Sequence, residues 1–538
     1  MRRWWIGAAM ALAGTAATAA DLSPARWPTA ERDRIEQMER SPFPPAARTL
    51  QARRQLISAT LSPAAVRAGM EALDQGGTAA DAAVTVALTQ VATNLGSVVS
   101  YGGVAELVYY EAKTGRVYVL DAGWGTYADE RSPATIPAAD ISLITGGAST
   151  ATPGAQGRKT LVPGFMAGME AAHTRFGRLP WSSLFQPAIW YAENGVTVSP
   201  LLGTYFNMVG GQLARTEEGR RFLGQSGRAM PRIGDRFVQP ELATLLHTVA
   251  DKGADDMYRG AWARQYVEIV RREGGAVTLE DLAAYRPVWE TPASIRFGDA
   301  TVFGPDGTNP GARIIFQALT TLDRQKVAGP YWTNPQTFAA YARALRSATE
   351  GAGHHSDAVV VVDRWGNVAA LVHSINMTMW GDTGIVVGGV PLSGAGGLYR
   401  SRMAGLAPRA HVPADMVPLV ALRNGKPVLA VATVGSSLTP ETTRMTAGLL
   451  GGGEPGQWAA APPLLIPYAS ADPGAEAVPS GAYTAEFLAA LKSANVKIQT
   501  EPPARTAALR GTSAFAVSTA GSWRTVETPT TSVFGDAR

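Results

Sequence analysis

A chain of 538 residues is too long for one hydrophobic core and implies two domains or one large layered unit. Its 46% hydrophobic and 17% charged content excludes a disordered protein, and the formal charge of +4 forms no basic stripe for nucleic acid. It has no cysteine, which excludes a disulfide framework, cysteine-held metal and a cysteine nucleophile.

The first twenty residues read as a secretory signal peptide: Arg2-Arg3, an apolar run from Trp4 to Leu12, and small residues at Ala17-Thr18-Ala19. That run is well short of the roughly 20 residues of a membrane span, and no later stretch reads as one. A periplasmic or secreted protein without a membrane span is expected. Residues 21–55, rich in Pro and Arg, are expected to form an extended arm. Ser62 opens a helical pattern that stops at Gly76-Gly77, and Asp81 caps or charges the first turn of a second helix, Ala82 to Val91. Ala105 to Tyr110 and Arg116 to Leu120 read as a hairpin. Towards the C-terminus, Pro418 to Leu422 and Pro427 to Thr433 read as strands. Helices follow from about Thr439 and from Thr484 to Ala494, and a final pair of strands begins near Gly511.

The most informative stretch runs from Gly351 to Gly384. After Gly-Ala-Gly-His354-His355 come Ser356, Asp357, Ala358 and four valines, then the turn Asp363 to Asn367 and a second apolar run, Val368 to Val372. Two such runs around a Gly-containing turn predict a hairpin buried on both faces. Pairing Val362 with Val368 sets Ser356 opposite Ser374, with Cβ atoms roughly 4.5–5.5 Å apart. His354, His355 and Asp357 could form a metal cluster, but adjacent residues rarely converge on one ion, and no metal or cofactor is expected. A Ser-His-Asp triad through His373 or His411 stays open, although no Gly-x-Ser-x-Gly elbow is present.

These residues resemble the start of the small subunit of the gamma-glutamyltransferase family, a branch of the N-terminal nucleophile hydrolases. That family shows Thr-Thr-His-x-Ser-Val-Val-Asp-x-x-Gly-Asn. Here Val361-Val362-Asp363 and Gly366-Asn367 match without a gap, placing Ser356 on the catalytic threonine. Ser374 and Asn376 fall on the second threonine and the asparagine of the next strand, and Asp382-Thr383-Gly384 follows at nearly the family spacing. Further words resemble the large subunit in the same order, among them Val162-Pro-Gly164, Phe176 to Pro180, Met257 to Gly260 and Thr278 to Tyr285.

The resemblance implies an α+β fold, the four-layer αββα sandwich. It also implies a precursor whose residues 21–355 and 356–538 become two interlocked chains after cleavage between His355 and Ser356, with further dimerisation left open. The implied activity is amide hydrolysis or acyl transfer on a small-molecule amide or peptide. Ser356 would attack, its own freed α-amine acting as base, since that group's pKa of about 7.7–8.0 suits the task. Ser374 and Asn376 would order the nucleophile, and the turn Gly435-Ser436-Ser437 would form the oxyanion hole.

The recognition shell departs from the family pattern. The family arginine that binds the substrate α-carboxylate is missing from Leu120-Asp121-Ala-Gly-Trp124, and Ala414-Asp415 replaces a Ser-Ser pair. Ser393 to Gly397 replaces a Gln and an Asp. Trp124 and Asp415 are therefore expected to shape an altered acyl pocket, Trp124 by stacking and Asp415 by repelling a carboxylate. γ-Glutamyl amides should be poor substrates and amides of neutral or aromatic acids better ones. The alternative is an inactive family member serving as a periplasmic binding or structural protein, which self-cleavage at Ser356 would distinguish.

Overall fold

The computed structural model describes residues 20–139, 156–327, 329–346, 356–377, 379–465 and 474–538. Residues 1–19 of the expected signal peptide, and the stretch from Gly351 to His355 that holds the expected cleavage residue, lie outside these.

In chain order the strands of the two main sheets are β1 (Arg48–Ala52), β2 (Leu56–Thr60), β3 (Val104–Glu111), β4 (Arg116–Ala122), β5 (Val288–Glu290), β6 (Ala293–Phe297) and β7 (Ala300–Gly304). They continue as β8 (Ser356–Val362), β9 (Val368–Ser374), β10 (Leu419–Arg423), β11 (Lys426–Val434), β12 (Thr512–Thr519), β13 (Ser522–Glu527) and β14 (Val533–Ala537). One seven-stranded sheet has the order β14-β2-β8-β9-β3-β4-β5 and the other β1-β13-β12-β11-β10-β7-β6. Every pairing in both is antiparallel.

Helices cover both outer faces: α1 (Thr29–Glu39), α2 (Pro63–Asp74), α3 (Ala79–Thr93), α4 (Phe165–Phe176) and α5 (Pro200–Leu213), then α6 (Pro310–Arg324), α7 (Pro335–Arg346) and α8 (Leu438–Leu450). The valine run of β8 shows how the layers arise. Side chains alternate across a strand. Ala358, Val360 and Val362 pack between the sheets with Val372, Val420 and Ala430. Val359 and Val361 face the opposite way, onto α2, α3 and α4. The second sheet turns Leu419, Val431 and Phe515 towards α6, α7 and α8. Helix, sheet, sheet and helix thus stack in four layers.

The turn between β8 and β9 is held by one carboxylate. Asp363 Oδ1 accepts from the N–H groups of Trp365 and Asn367, and Oδ2 accepts from Asn367 Nδ2 and from the Ala79 N–H at the start of α3. Gly366 supplies the left-handed φ of +85° that the turn requires. The Asp-x-x-Gly-Asn word therefore ties the hairpin to the helix layer. In α3 the N-cap is Thr78, with Asp81 completing a capping box three residues on.

Two expectations need correcting. Residues 21–55 are not an extended arm but contain α1 and β1. Ile35 is the buried anchor of α1, and Glu31 bonds Arg67 of α2 at 2.8 Å. The C-terminal tail supplies three strands rather than two, and β14 closes the first sheet against β2.

Candidate active site

Ser356 begins β8 at one end of the sandwich, and the hairpin has the expected register, with Val362 opposite Val368 and Ser356 opposite Ser374. Both hydroxyls lie on the side facing between the sheets. The Ser356 Oγ–H donates to Ser374 Oγ at 2.7 Å. That same oxygen accepts from the Asn376 N–H at 2.7 Å. Asn376 sits in the left-handed region at φ +50°, which asparagine tolerates better than most residues. Its Oδ1 accepts from Trp124 Nε1–H at 2.9 Å. Trp124 is 1% exposed and shares the apolar core between the sheets with Leu161, Tyr399 and Met416. Its backbone pairs with Val412 in a short two-stranded ribbon.

On the reverse face, against the helices, are Asp357 and His373. Asp357 accepts from Thr60 Oγ1 at 3.0 Å and Asn94 Nδ2 at 3.1 Å. Burial pushes its pKa up to about 7 against the lowering effect of those bonds. His373 Nε2 bonds Gln90 Oε1 at 2.9 Å, and burial lowers its pKa to about 3, so the ring is neutral. His411 bonds Asp121 Oδ2 at 2.7 Å and the Arg286 carbonyl at 3.0 Å. Neither histidine is hydrogen-bonded to Ser356, and the triad left open by the sequence is not assembled among the described residues. The parity of the strand is the reason for His373, since neighbouring positions point to opposite faces.

Ser356 opens into a cavity of about 260 Å³. Gly435 and Ser436 line it, but Ser437 does not. Ser437 is buried at the start of α8, donating its hydroxyl to the Leu509 carbonyl at 2.7 Å. Gly435 has φ +96°, and a Cβ there would come within 2.9 Å of the Arg510 carbonyl. The turn therefore excludes larger residues and keeps its backbone close to the cavity.

Trp124 and Asp415 do not line this cavity. Trp124 is enclosed by apolar neighbours. Asp415 is buried and paired with Arg402 at 2.9 Å, so its charge is compensated within the protein rather than presented to a ligand. In the 393–397 stretch Gly396 and Gly397 are packed against backbone, where a Cβ on Gly396 would meet the Lys159 carbonyl at 2.7 Å and one on Gly397 the Pro137 carbonyl at 2.6 Å, and Gly394 is packed against the Asp382 carboxylate. Other walls of the cavity were not anticipated from sequence: Phe43, Leu61, Val98, Leu201 and Tyr205. They come from four distant segments of ordinary apolar residues, and no motif joins them.

Two stacked antiparallel sheets, covered by helices on both outer faces, with a hydroxyl at the head of a central strand, define the four-layer sandwich of the N-terminal nucleophile hydrolases. Residues 65–357, more than half of the chain, match the family model described as gamma-glutamyltranspeptidase, and the chain belongs to that family. A rat relative, "Glutathione hydrolase 5 proenzyme", is 32% identical over 268 residues, covering 49% of this chain and 45% of the relative. "Glutathione hydrolase proenzyme" of Pseudomonas aeruginosa is 31% identical over 252 residues, covering 46% and 42%. The chain thus spans less than half the length of these relatives. Among solved structures, a cephalosporin acylase from Bacillus halodurans superposes with a TM-score of 0.76 at 20% identity, over 93% of this chain and 98% of the other. No helix among the described residues is long and apolar enough to cross a membrane.

Proposed function

We propose that the protein is an exported, self-processing amide hydrolase or acyl transferase with Ser356 as its N-terminal nucleophile and an acyl specificity other than γ-glutamyl. The observation that carries this is the hydroxyl pair at the head of the hairpin, with Ser356 Oγ bonded to Ser374 at 2.7 Å and open to a cavity bordered by the Gly435-Ser436 turn. In maturation, Ser356 Oγ attacks the carbonyl carbon of His355. The C–N bond breaks, the Oγ proton ends on the released amine, and water hydrolyses the resulting ester to a His355 carboxylate and a free Ser356 hydroxyl. The exposed α-amine then serves as the base. It takes the Oγ proton as Oγ attacks a substrate amide and returns it to the departing amine. Water or a second amine completes the cycle by cleaving the acyl ester. Backbone N–H groups of Gly435 and Ser436, together with the N-terminal end of α8 just beyond, would stabilise the oxyanion.

Two features support a two-chain product that stays together. The first sheet takes β2, β3, β4 and β5 from before Ser356 and β8, β9 and β14 from after it, and the second sheet is mixed in the same way. The reading is tested by a denaturing gel with N-terminal sequencing of the purified protein. Two fragments are expected, one beginning Ser-Asp-Ala-Val. Ser356→Thr should retain some cleavage and Ser356→Ala should remain one inactive chain. A wild-type chain that stays intact on long incubation near neutral pH counts against the mechanism.

A further inference from the structure

The open side of Ser356 is not the side that the family pattern suggests. Towards Asn376, space is filled by Trp124 and its apolar neighbours, with Asp415 paired with Arg402 and Gly396 and Gly397 pressed on backbone. The cavity instead extends towards the N-terminal segment and α5. Its wall there consists of Phe43, Leu61, Val98, Leu201 and Tyr205. Arg510 is the charged residue of the wall, and its guanidinium is engaged with the Ala459 carbonyl.

The far end is polar. A second cavity of about 20 Å³ shares Pro42, Leu61, Leu201 and Tyr205 with the first and continues to Glu39, whose pKa burial pushes up to about 7, and to Ser62, Asn94 and Ser199. That is room for about one water. Tyr205 stands where the two meet. Its ring is set edge-on to Trp380, with centroids 6.4 Å apart. No described residue engages its hydroxyl in a hydrogen bond, and burial pushes its pKa up to about 12, which keeps it a neutral donor.

Resting on Ser356 as the nucleophile, we propose that this cleft is the acyl subsite and takes an uncharged, ring-bearing acyl group. The carbonyl sits between Ser356 and the Gly435-Ser436 turn, the ring lies against Leu61, Leu201 and Tyr205, and the leaving amine faces solvent. The volume lies just below the roughly 300–1,000 Å³ of ordinary ligand pockets, which suits a single ring rather than an extended peptide. Arg510 is already bonded to the Ala459 carbonyl, and Glu39 at the far end to the Ser62 hydroxyl and the Ala64 N–H, so an acyl chain ending in a carboxylate or an ammonium would lose water and have to compete for a group already engaged.

The test compares kcat/KM on anilides of phenylacetate, acetate, glutarate and γ-glutamate, using the self-cleaved wild-type protein. The phenylacetyl compound is expected to exceed each of the others by about tenfold or more. Leu201→Trp, which fills a half-buried position on the wall, should lower the phenylacetyl-to-acetyl ratio about tenfold, mainly through KM. Should that variant fail to fold, Leu201→Ala enlarges the cleft and should shift preference from phenylacetyl towards naphthylacetyl. Preference for the glutaryl or γ-glutamyl anilide overturns the inference, as does an equal effect of the Leu201 variants on all acyl groups. Sensitivity to the amine portion with indifference to the acyl portion overturns it too. A wild-type protein that neither cleaves at Ser356 nor hydrolyses any anilide defeats the nucleophile reading itself, a result distinct from these.

Discussion

At the scale of single residues, the proposed site contains a run of three hydrogen bonds from Trp124 through Asn376 and Ser374 to Ser356. Asn376 holds a left-handed backbone only with support, and the indole N–H supplies it. Trp124→Phe keeps most of the ring and removes that donor. Single-turnover acylation is expected to slow about tenfold with KM little changed, roughly 1.4 kcal/mol. In an Asn376→Gly background, where positive φ needs no side-chain anchor, Trp124→Phe should have little further effect. Equal losses in both backgrounds would mean that Trp124 acts through packing alone. Asp357, on the other face, carries a pH signature. Its folded pKa of about 7 lies above the ordinary 3.8, so its contribution to stability is full below about pH 4 and is lost as pH rises through 7. Asp357→Asn should flatten the fall of the urea midpoint between about pH 4 and 7, and an unchanged slope would remove Asp357 as its source. The pairing of Ser356 with Ser374 was legible because both sit at fixed offsets from a turn motif. The position of Trp124 was not, since a sequence cannot say whether an aromatic side chain turns to a ligand or to the core.

At the scale of elements, the β8–β9 hairpin was the best-determined feature, because a strand buried on both faces leaves an unbroken apolar run and its turn has a fixed register. Asp363 illustrates what the turn word does physically. Asp363→Ala removes acceptors for four donors and should cost about 3 kcal/mol or more, read as a drop in the urea midpoint. A loss under about 1 kcal/mol would show that water replaces those bonds. By contrast, α1 was missed. Its sequence, Thr29 to Glu39, is charged nearly all round, and its burial rests on Ile35 and on ion pairing with α2, a tertiary contribution that local periodicity does not record. Asp81 was read as cap or first-turn acid, and the structure resolves this as a capping box with Thr78.

At the scale of the whole molecule, both sheets interleave strands from before and after Ser356. Cleavage there should leave one cooperative unfolding transition and fragments that co-elute at nanomolar concentration, whereas dissociation on simple dilution would contradict the interleaving. The packed Trp124 has a further consequence, for how readily the site could be redesigned. A γ-glutamyl pocket built on the family pattern would need an arginine after Leu120-Asp121. A Cβ on Gly123 would meet Asp121 Oδ1 at 2.6 Å, and Trp124→Arg would put a cation among the apolar residues between the sheets. Neither Gly123→Arg nor Trp124→Arg alone is therefore expected to raise kcat/KM on a γ-glutamyl anilide. Each substitution is expected to give a less stable protein, so the packed core beside Ser356 resists conversion into a site for a charged acyl group.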